Sequence, residues 1–124
     1  MDDSKARFEL RREPDATVFM DGGEMVLRYF QTDKILFSAS TLAPGERSNR
    51  DSGHAGAHEI GYCEAGQIVL QFGDGDDREY VRMGAGDAVL INEGVPHTLF
   101  NPGPEQARVT WSIAPSLGRE QFTD

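Results

Sequence analysis

The hydrophobic positions of this chain fall into short runs that are separated by turn residues. In the last run, Val109, Trp111 and Ile113 alternate with polar side chains, which is the two-residue period of a strand with one buried face. The segment GDGDD at 73–77 is a strong hairpin signal, because glycine readily takes the positive φ of a tight turn. Only the N-terminus shows a weak helical period, so the pattern predicts strands.

The pattern predicts nine short strands at intervals of about 8 to 12 residues. They cover 18–20, 25–31, 35–42, 58–64, 67–72, 78–83, 88–91, 97–101 and 107–114. Strands at this spacing with Gly-rich turns favour an antiparallel sandwich or small barrel over an α/β fold. The predicted fold class is therefore all-β, and the mouth of such a barrel is a place where a small ligand binds.

The length of 124 residues is that of a single domain. We expect one folded unit over residues 17–124, preceded by a polar arm over residues 1–16 that either frays or packs on a partner subunit. Because antiparallel sheets expose edges that must be covered, the strands around 17–31 predict a homodimer.

Composition and charge exclude several classes of function. The 21 acidic and 12 basic residues give a net charge of −9, which would repel a nucleic-acid backbone, so no nucleic acid is expected as a partner. No apolar run approaches the roughly 20 residues that span a bilayer, and the charged start lacks the apolar centre of a secretory signal. Cys63 is the only cysteine and cannot form an internal disulfide. We therefore expect a cytoplasmic protein that does not bind membranes.

Candidate metal ligands are concentrated in two separate stretches. The first contains His54, His58 and Glu59, and the second contains His97 just after a Gly-Val-Pro turn. Two imidazoles and one carboxylate from different strands can occupy one face of a divalent metal ion and leave open positions for water, substrate or dioxygen. The two stretches together predict one metal site.

The second stretch resembles the second sequence motif of the cupin superfamily. The residues at the motif positions are Gly86, Asn92, Gly94, His97 and Asn101. Their spacing matches the motif throughout, and Asn92 stands where proline is usual.

The first stretch, 52–66, resembles the first cupin motif less completely. Glu59 is followed by six residues and Gly66, and His54 precedes Glu59 by four intervening residues, as the second histidine of the motif does. The first histidine of the motif would fall at Ser52, so that ligand is missing. The run SGHAG at 52–56, which leads to Glu59 and has no upstream histidine, also resembles the site of the cupin hydroxypropylphosphonate epoxidase, a non-haem iron enzyme with a triad of two histidines and one carboxylate.

The resemblance covers about residues 35–114 and implies a small single-domain cupin with an antiparallel jelly-roll barrel. It implies one divalent metal ion, Fe(II), Zn, Ni or Mn, held by His54, Glu59 and His97. The implied ligand is a small, polar, oxygen-rich metabolite that chelates the metal. Fe(II) would give a dioxygenase or oxidase, and the other metals a Lewis-acid isomerase or lyase. Two alternatives stay open: a pocket that never holds metal, and a binding or sensor domain without turnover.

The remaining candidates are assigned from strand alternation. His58 is adjacent to Glu59 and is expected to face outward, unless a bulge in the loop at 55–57 lets it replace the missing fourth ligand. His58 and Tyr29 are also the candidates for the base that a Lewis-acid mechanism needs. Cys63 is four residues after Glu59 on the same strand, so both side chains point to the same face. We therefore expect Cys63 to act as a small buried hydrophobic residue that faces the interior. Trp111 is expected to pack in the core. The candidate pocket residues beyond the ligands are Ser52, His58, Cys63 and Trp111.

Overall fold

In a computed structural model that describes residues 7–116, the chain forms nine strands. The strands are β1 (Thr17–Asp21), β2 (Glu24–Gln31), β3 (Leu36–Leu42), β4 (His58–Ala65), β5 (Gln67–Phe72), β6 (Glu79–Gly84), β7 (Ala88–Ile91), β8 (His97–Phe100) and β9 (Ala107–Ala114). Single 3₁₀ turns lie at Glu13–Asp15 and Gly75–Asp77. No α-helix occurs within the described range, and the predicted all-β class is confirmed.

The strands form two antiparallel sheets. The larger sheet has the order β1-β2-β3-β9-β4-β7, and the smaller one has the order β6-β5-β8. Strands that are distant in sequence, such as β3 and β9, pair over seven residue positions. This arrangement confirms the predicted jelly roll, and it brings β4 and β8 to the same interior although they belong to different sheets.

Alternation decides which side chains enter the interior. On β9, Val109, Trp111 and Ile113 are buried, whereas the polar residues between them are partly exposed. Their neighbours on the interior faces of both sheets form the main apolar cluster. It comprises Leu42, Cys63, Ile68, Leu70, Met83, Ile91, Leu99, Ala107, Val109 and Trp111.

The tight turn between β4 and β5 requires glycine. Gly66 has φ of +76°, and a Cβ there would lie 2.6 Å from the carbonyl oxygen of Gln106. An L side chain would therefore meet both backbone strain and a steric clash. The turn allows the chain to pass from the larger sheet to the smaller one within one residue.

The described part of the predicted polar arm lies against this chain's own larger sheet. The Arg11 guanidinium lies 5.1 Å from the centre of the Phe30 ring, and Arg108 on β9 pairs with Glu13 at 3.7 Å. The first six residues of the arm lie outside the described range. Within that range, no helix has the length and apolar character needed to cross a membrane. The predicted homodimer and cytoplasmic location stay predictions.

Candidate metal site

The structure brings together the three side chains that the sequence suggests as metal ligands. Glu59 is the second residue of β4, His97 is the first residue of β8, and His54 lies in the loop that precedes β4. The Glu59 Oε1 atom is 3.4 Å from His97 Nε2 and 3.6 Å from His54 Nε2. One carboxylate oxygen thus lies beside two imidazole nitrogens.

Asp51 adds a fourth group that sequence reasoning missed. Its Oδ2 lies 3.3 Å from His54 Nε2 and 3.7 Å from His97 Nε2. The backbones of Asp51 and His97 exchange two hydrogen bonds of 2.9 Å, and the Gly53 N–H donates to Asp51 Oδ1. The signal was present, because Asp51 is one residue before Ser52, where the motif's first histidine would fall. Ser52 itself is exposed.

The imidazole of His97 is oriented by the backbone. Its Nδ1 lies 3.0 Å from the carbonyl oxygen of Val95, an acceptor that has no proton of its own. Nδ1 therefore carries the proton in the neutral ring, and the Nε2 lone pair faces Glu59 and Asp51. Carbonyl groups hold metal-binding histidines in the same way. His97 is only 3% exposed, so water competes little for this position.

Two polar atoms at the cluster are buried and have no hydrogen-bond partner within residues 7–116. They are Glu59 Oε1 and His54 Nδ1. An unsatisfied buried carboxylate oxygen is costly and needs a compensating group. A cation bound between Oε1 and the facing imidazole nitrogens would compensate it, so the residues fit a divalent metal ion.

With the side chains placed as they are, no group of three or more His, Cys, Asp or Glu residues within residues 7–116 is arranged to hold a metal ion. The donor atoms of Asp51, His54, Glu59 and His97 are nevertheless separated by 3.3 to 3.7 Å. Neighbouring ligands that each lie about 2.1 Å from a metal ion are separated by about 3.0 to 3.4 Å. Each imidazole nitrogen thus lies a few tenths of an ångström beyond, or at the edge of, ligand–ligand distance from each of the two carboxylates.

The pKa shifts reflect burial and mutual attraction within this cluster. Burial raises the pKa of Glu59 to about 7, against the opposing effect of His54. Burial also acts to raise the pKa of Asp51, but hydrogen bonds with His54 and with the Gly53 N–H lower it overall. Burial acts to lower the pKa of His54, and pairing with Asp51 raises it overall. The cluster therefore favours positive charge between its carboxylates.

A cavity of about 140 Å³ opens beside the cluster, and it is lined by residues of β1, β2, β3, β4, β8 and β9 and of the loop between β3 and β4. The apolar part of its lining includes Phe19, Val26, Leu36, Trp111 and Ile113, and the polar part includes Asp21, Glu24, Ser38 and Ser40. Glu24 is a second residue that sequence reasoning missed. It is the first residue of β2, is 6% exposed, and accepts a hydrogen bond from the Ser40 hydroxyl. No local motif marks a single inward-facing carboxylate.

The other predicted pocket residues occupy different positions. Trp111 lines the cavity, and its ring centre is 6.4 Å from that of His97. Cys63 is completely buried, but it belongs to the apolar cluster and does not line the cavity. Ser52, His58 and Tyr29 are also absent from the lining, and His58 is exposed, as strand alternation predicts.

Comparison with known proteins places this architecture in a family. The family profile described as a cupin domain matches residues 39–113. The chain belongs to the cupin family. No curated protein matches the sequence.

Solved structures with the cupin fold are similar to this chain over most of its length. A predicted oxalate decarboxylase from Thermotoga maritima has a TM-score of 0.72 and 20% identity, with coverage of 88% of this chain and 100% of the other. The Fe(II) form of HppE has a TM-score of 0.75 and 16% identity, with coverage of 91% and 62%. Oxalate oxidase in complex with glycolate has a TM-score of 0.66 and 22% identity, with coverage of 78% and 54%. At these identities the similarity shows the fold.

Proposed function

We propose that this cupin is a metal-dependent enzyme that acts on a small, polar, oxygen-rich metabolite. One divalent metal ion is held by His54, Glu59 and His97, and Asp51 supplies a fourth donor. The observation that carries the proposal is the buried Glu59 Oε1, which has no hydrogen-bond partner in residues 7–116 and lies within 3.6 Å of both imidazole Nε2 atoms.

The chain's own residues prepare this site in three ways. The Val95 carbonyl fixes the His97 ring, and the Gly53 N–H fixes Asp51, so two donors are oriented in advance. Apolar side chains, including that of Trp111, line part of the cavity beside the donors. A bound metal ion would supply either Lewis-acid polarisation of a chelated substrate, as with Zn, Ni or Mn, or dioxygen chemistry with Fe(II). The cavity volume restricts the substrate to a small molecule.

The related structures support a metal-dependent activity. HppE is described in an Fe(II) form, and oxalate oxidase is described with glycolate, a small molecule. Both proteins share the fold of this chain. The reaction is not transferred from them, because one fold hosts many reactions.

Metal analysis tests the proposal directly. Protein purified without added metal, or dialysed against Fe(II), Zn, Ni or Mn, is expected to retain about one equivalent per chain. Because each variant removes a donor, His97→Ala and Glu59→Gln should each lose at least tenfold in metal affinity. The matched control is His58→Ala, which removes an exposed histidine one residue from Glu59. Absence of metal binding, or equal loss in His58→Ala, would reject the proposal.

A metal-free binding or sensor domain is the second candidate. The pairing of His54 with Asp51 at 3.3 Å favours it, because a protonated imidazole satisfies this carboxylate without a metal. Under this alternative the purified protein binds a metabolite but takes up no metal and shows no turnover. Oxygen consumption and product analysis with chelating substrates distinguish the two functions.

A further inference from the structure

Two loops supply three of the four candidate metal donors, and they lie directly against each other. The first loop, residues 43–57, joins β3 to β4 and carries Asp51 and His54. The second loop, residues 92–96, joins β7 to β8 and leads into His97. The relative position of the two loops therefore decides whether the donors can share one metal ion.

Gly53 of the first loop packs against the backbone of the second loop. A Cβ on Gly53 would lie 2.6 Å from the carbonyl carbon of Gly94 and 2.7 Å from the nitrogen of Val95. Beside this contact, the Gly94 N–H donates a hydrogen bond of 3.2 Å to the His54 carbonyl oxygen. Gly53 also has φ of +93°, which L side chains rarely adopt. Only glycine therefore allows the loops to approach this closely.

The backbone on each side of this contact holds a donor side chain. The Gly53 N–H donates a hydrogen bond of 2.8 Å to Asp51 Oδ1, and the Val95 carbonyl oxygen lies 3.0 Å from His97 Nδ1. The peptide groups that touch across the two loops are thus next to those that orient Asp51 and His97. If the loops separate, at least one of these donors must move relative to Glu59 on β4.

We propose that Gly53 is a positioning residue for the metal site, and that its contact with Gly94 and Val95 sets the distance between the donors of the two loops. The inference rests on the proposed function for the metal ion, whereas the loop contact itself exists without metal. Removing a group that orients a metal ligand costs roughly ten- to hundredfold in metal affinity. Gly53 makes no contact with the metal ion under this proposal and acts only through Asp51 and His97.

The test is titration of Gly53→Ala with Co(II), whose visible absorption bands report both binding and coordination geometry. The added Cβ forces the loops apart, so we expect the variant to bind Co(II) roughly tenfold or more weakly than wild type, with an altered absorption spectrum. A variant with the affinity and spectrum of wild type would overturn the inference.

Two other glycines provide matched controls. Gly56→Ala imposes a similar backbone strain in the same loop, because Gly56 has φ of +77°, but its Cβ would meet nothing within 4 Å. Gly66→Ala combines strain with a clash of 2.6 Å against the Gln106 carbonyl oxygen, at the turn between β4 and β5. Both folded variants should keep the Co(II) affinity of wild type. A loss in either control equal to that in Gly53→Ala would show that strain or general destabilisation is the cause.

Amide hydrogen exchange in chelator-treated protein separates this inference from the proposed function. The Gly94 and His97 amides donate to the carbonyl oxygens of His54 and Asp51 across the two loops. Both amides should exchange roughly tenfold or more faster in Gly53→Ala than in wild type, and at the wild-type rate in Gly56→Ala. This result in a wild type that binds no metal would reject only the metal-dependent function. Equal metal binding by wild type and Gly53→Ala would reject only the positioning role.

A surface variant decides the inference if Gly53→Ala does not fold. Glu93 in the second loop is exposed, and its Oε2 accepts a hydrogen bond of 2.9 Å from the Gly56 N–H of the first loop. Glu93→Ala removes this tie between the loops and should weaken Co(II) binding by about threefold. The control is Glu79→Ala, which removes an exposed carboxylate on β6. Equal Co(II) affinities of Glu93→Ala and Glu79→Ala would then overturn the inference.

Discussion

The two ends of the interior are built from the same strands but bury different kinds of side chains. On β4, Glu59 faces the cavity, whereas Cys63, four residues later on the same face, is completely buried in the apolar cluster. On β3, Ser38 and Ser40 line the cavity and Leu42 is in the cluster. One half of each strand therefore forms the candidate site, and the other half forms the core.

The apolar end of the interior stabilises the fold, whereas the cavity end carries the groups that could do chemistry. The apolar end removes large aliphatic side chains from water, which stabilises the fold. The cavity end buries Glu24 and Glu59, and burial raises the pKa of each to about 7, so ionising them costs folding free energy. Active sites commonly carry such a cost in exchange for function.

The largest predicted effect comes from the apolar end. Leu70→Ala removes a completely buried side chain from the cluster and should lower the free energy of unfolding by about 3 to 4 kcal/mol, through lost burial and the cavity left behind. Metal content should be unchanged in the folded variant. Urea unfolding measures the change, with Leu90→Ala as control because Leu90 is 55% exposed. Similar losses in both variants would show that this end is not the main source of stability.

The second predicted effect is a gain in unfolding free energy, and it comes from a substitution at the cavity end. The pKa of Glu24 is about 7 in the folded protein and 4.5 ordinarily, so between these values the folded state binds more protons than the unfolded state. Stability of the metal-free protein therefore falls as pH rises from about 5 to 8. Glu24→Gln removes the part of this dependence that comes from Glu24 and leaves the part that comes from Glu59. The variant should be more stable than wild type by about 2 to 3 kcal/mol at pH 8, but not at pH 5.

Thermal or urea unfolding of chelator-treated protein at both pH values measures this difference. The exposed Glu79→Gln should show no such pH-dependent gain. A Glu24→Gln variant that is less stable than wild type at pH 8 would mean that ionised Glu24 is compensated by a group outside the cavity lining.

The sequence predicted the strands closely because their alternation and glycine turns are local signals. The predicted 67–72, 88–91 and 107–114 have the observed bounds of β5, β7 and β9. The motif spacing likewise predicted His54 and His97 as site residues, and the fold brings both imidazoles next to Glu59 Oε1.

Asp51 and Glu24 were not predicted because their positions depend on tertiary structure. Asp51 reaches the cluster through its pairing with His97, 46 residues away, and this pairing lies in a loop without strand periodicity. Glu24 is the first residue of β2, the second strand from the edge of the larger sheet. Its side chain is known to face inward only once Glu24 is known to pair with Leu42 of β3. Neither the loop pairing nor the strand register can be predicted from the residues that are nearby in sequence.

Gly61 lies on β4 between Glu59 and Cys63, at the boundary between the cavity and the apolar cluster. Its substitution gives the smallest predicted change in unfolding free energy. A Cβ on Gly61 would lie 2.4 Å from Cζ3 of the buried Trp111, so Gly61→Ala must displace the indole ring that separates cavity from cluster. We expect a loss of about 1 to 2 kcal/mol in unfolding free energy. Metal binding should weaken as well, because the Trp111 ring centre lies 6.4 Å from that of His97. Gly103→Ala, whose Cβ has no contact closer than 3.5 Å, is the control for both measurements. A change in stability alone would show that Trp111 acts only in core packing, and a change in metal binding alone would show that it acts only at the candidate site.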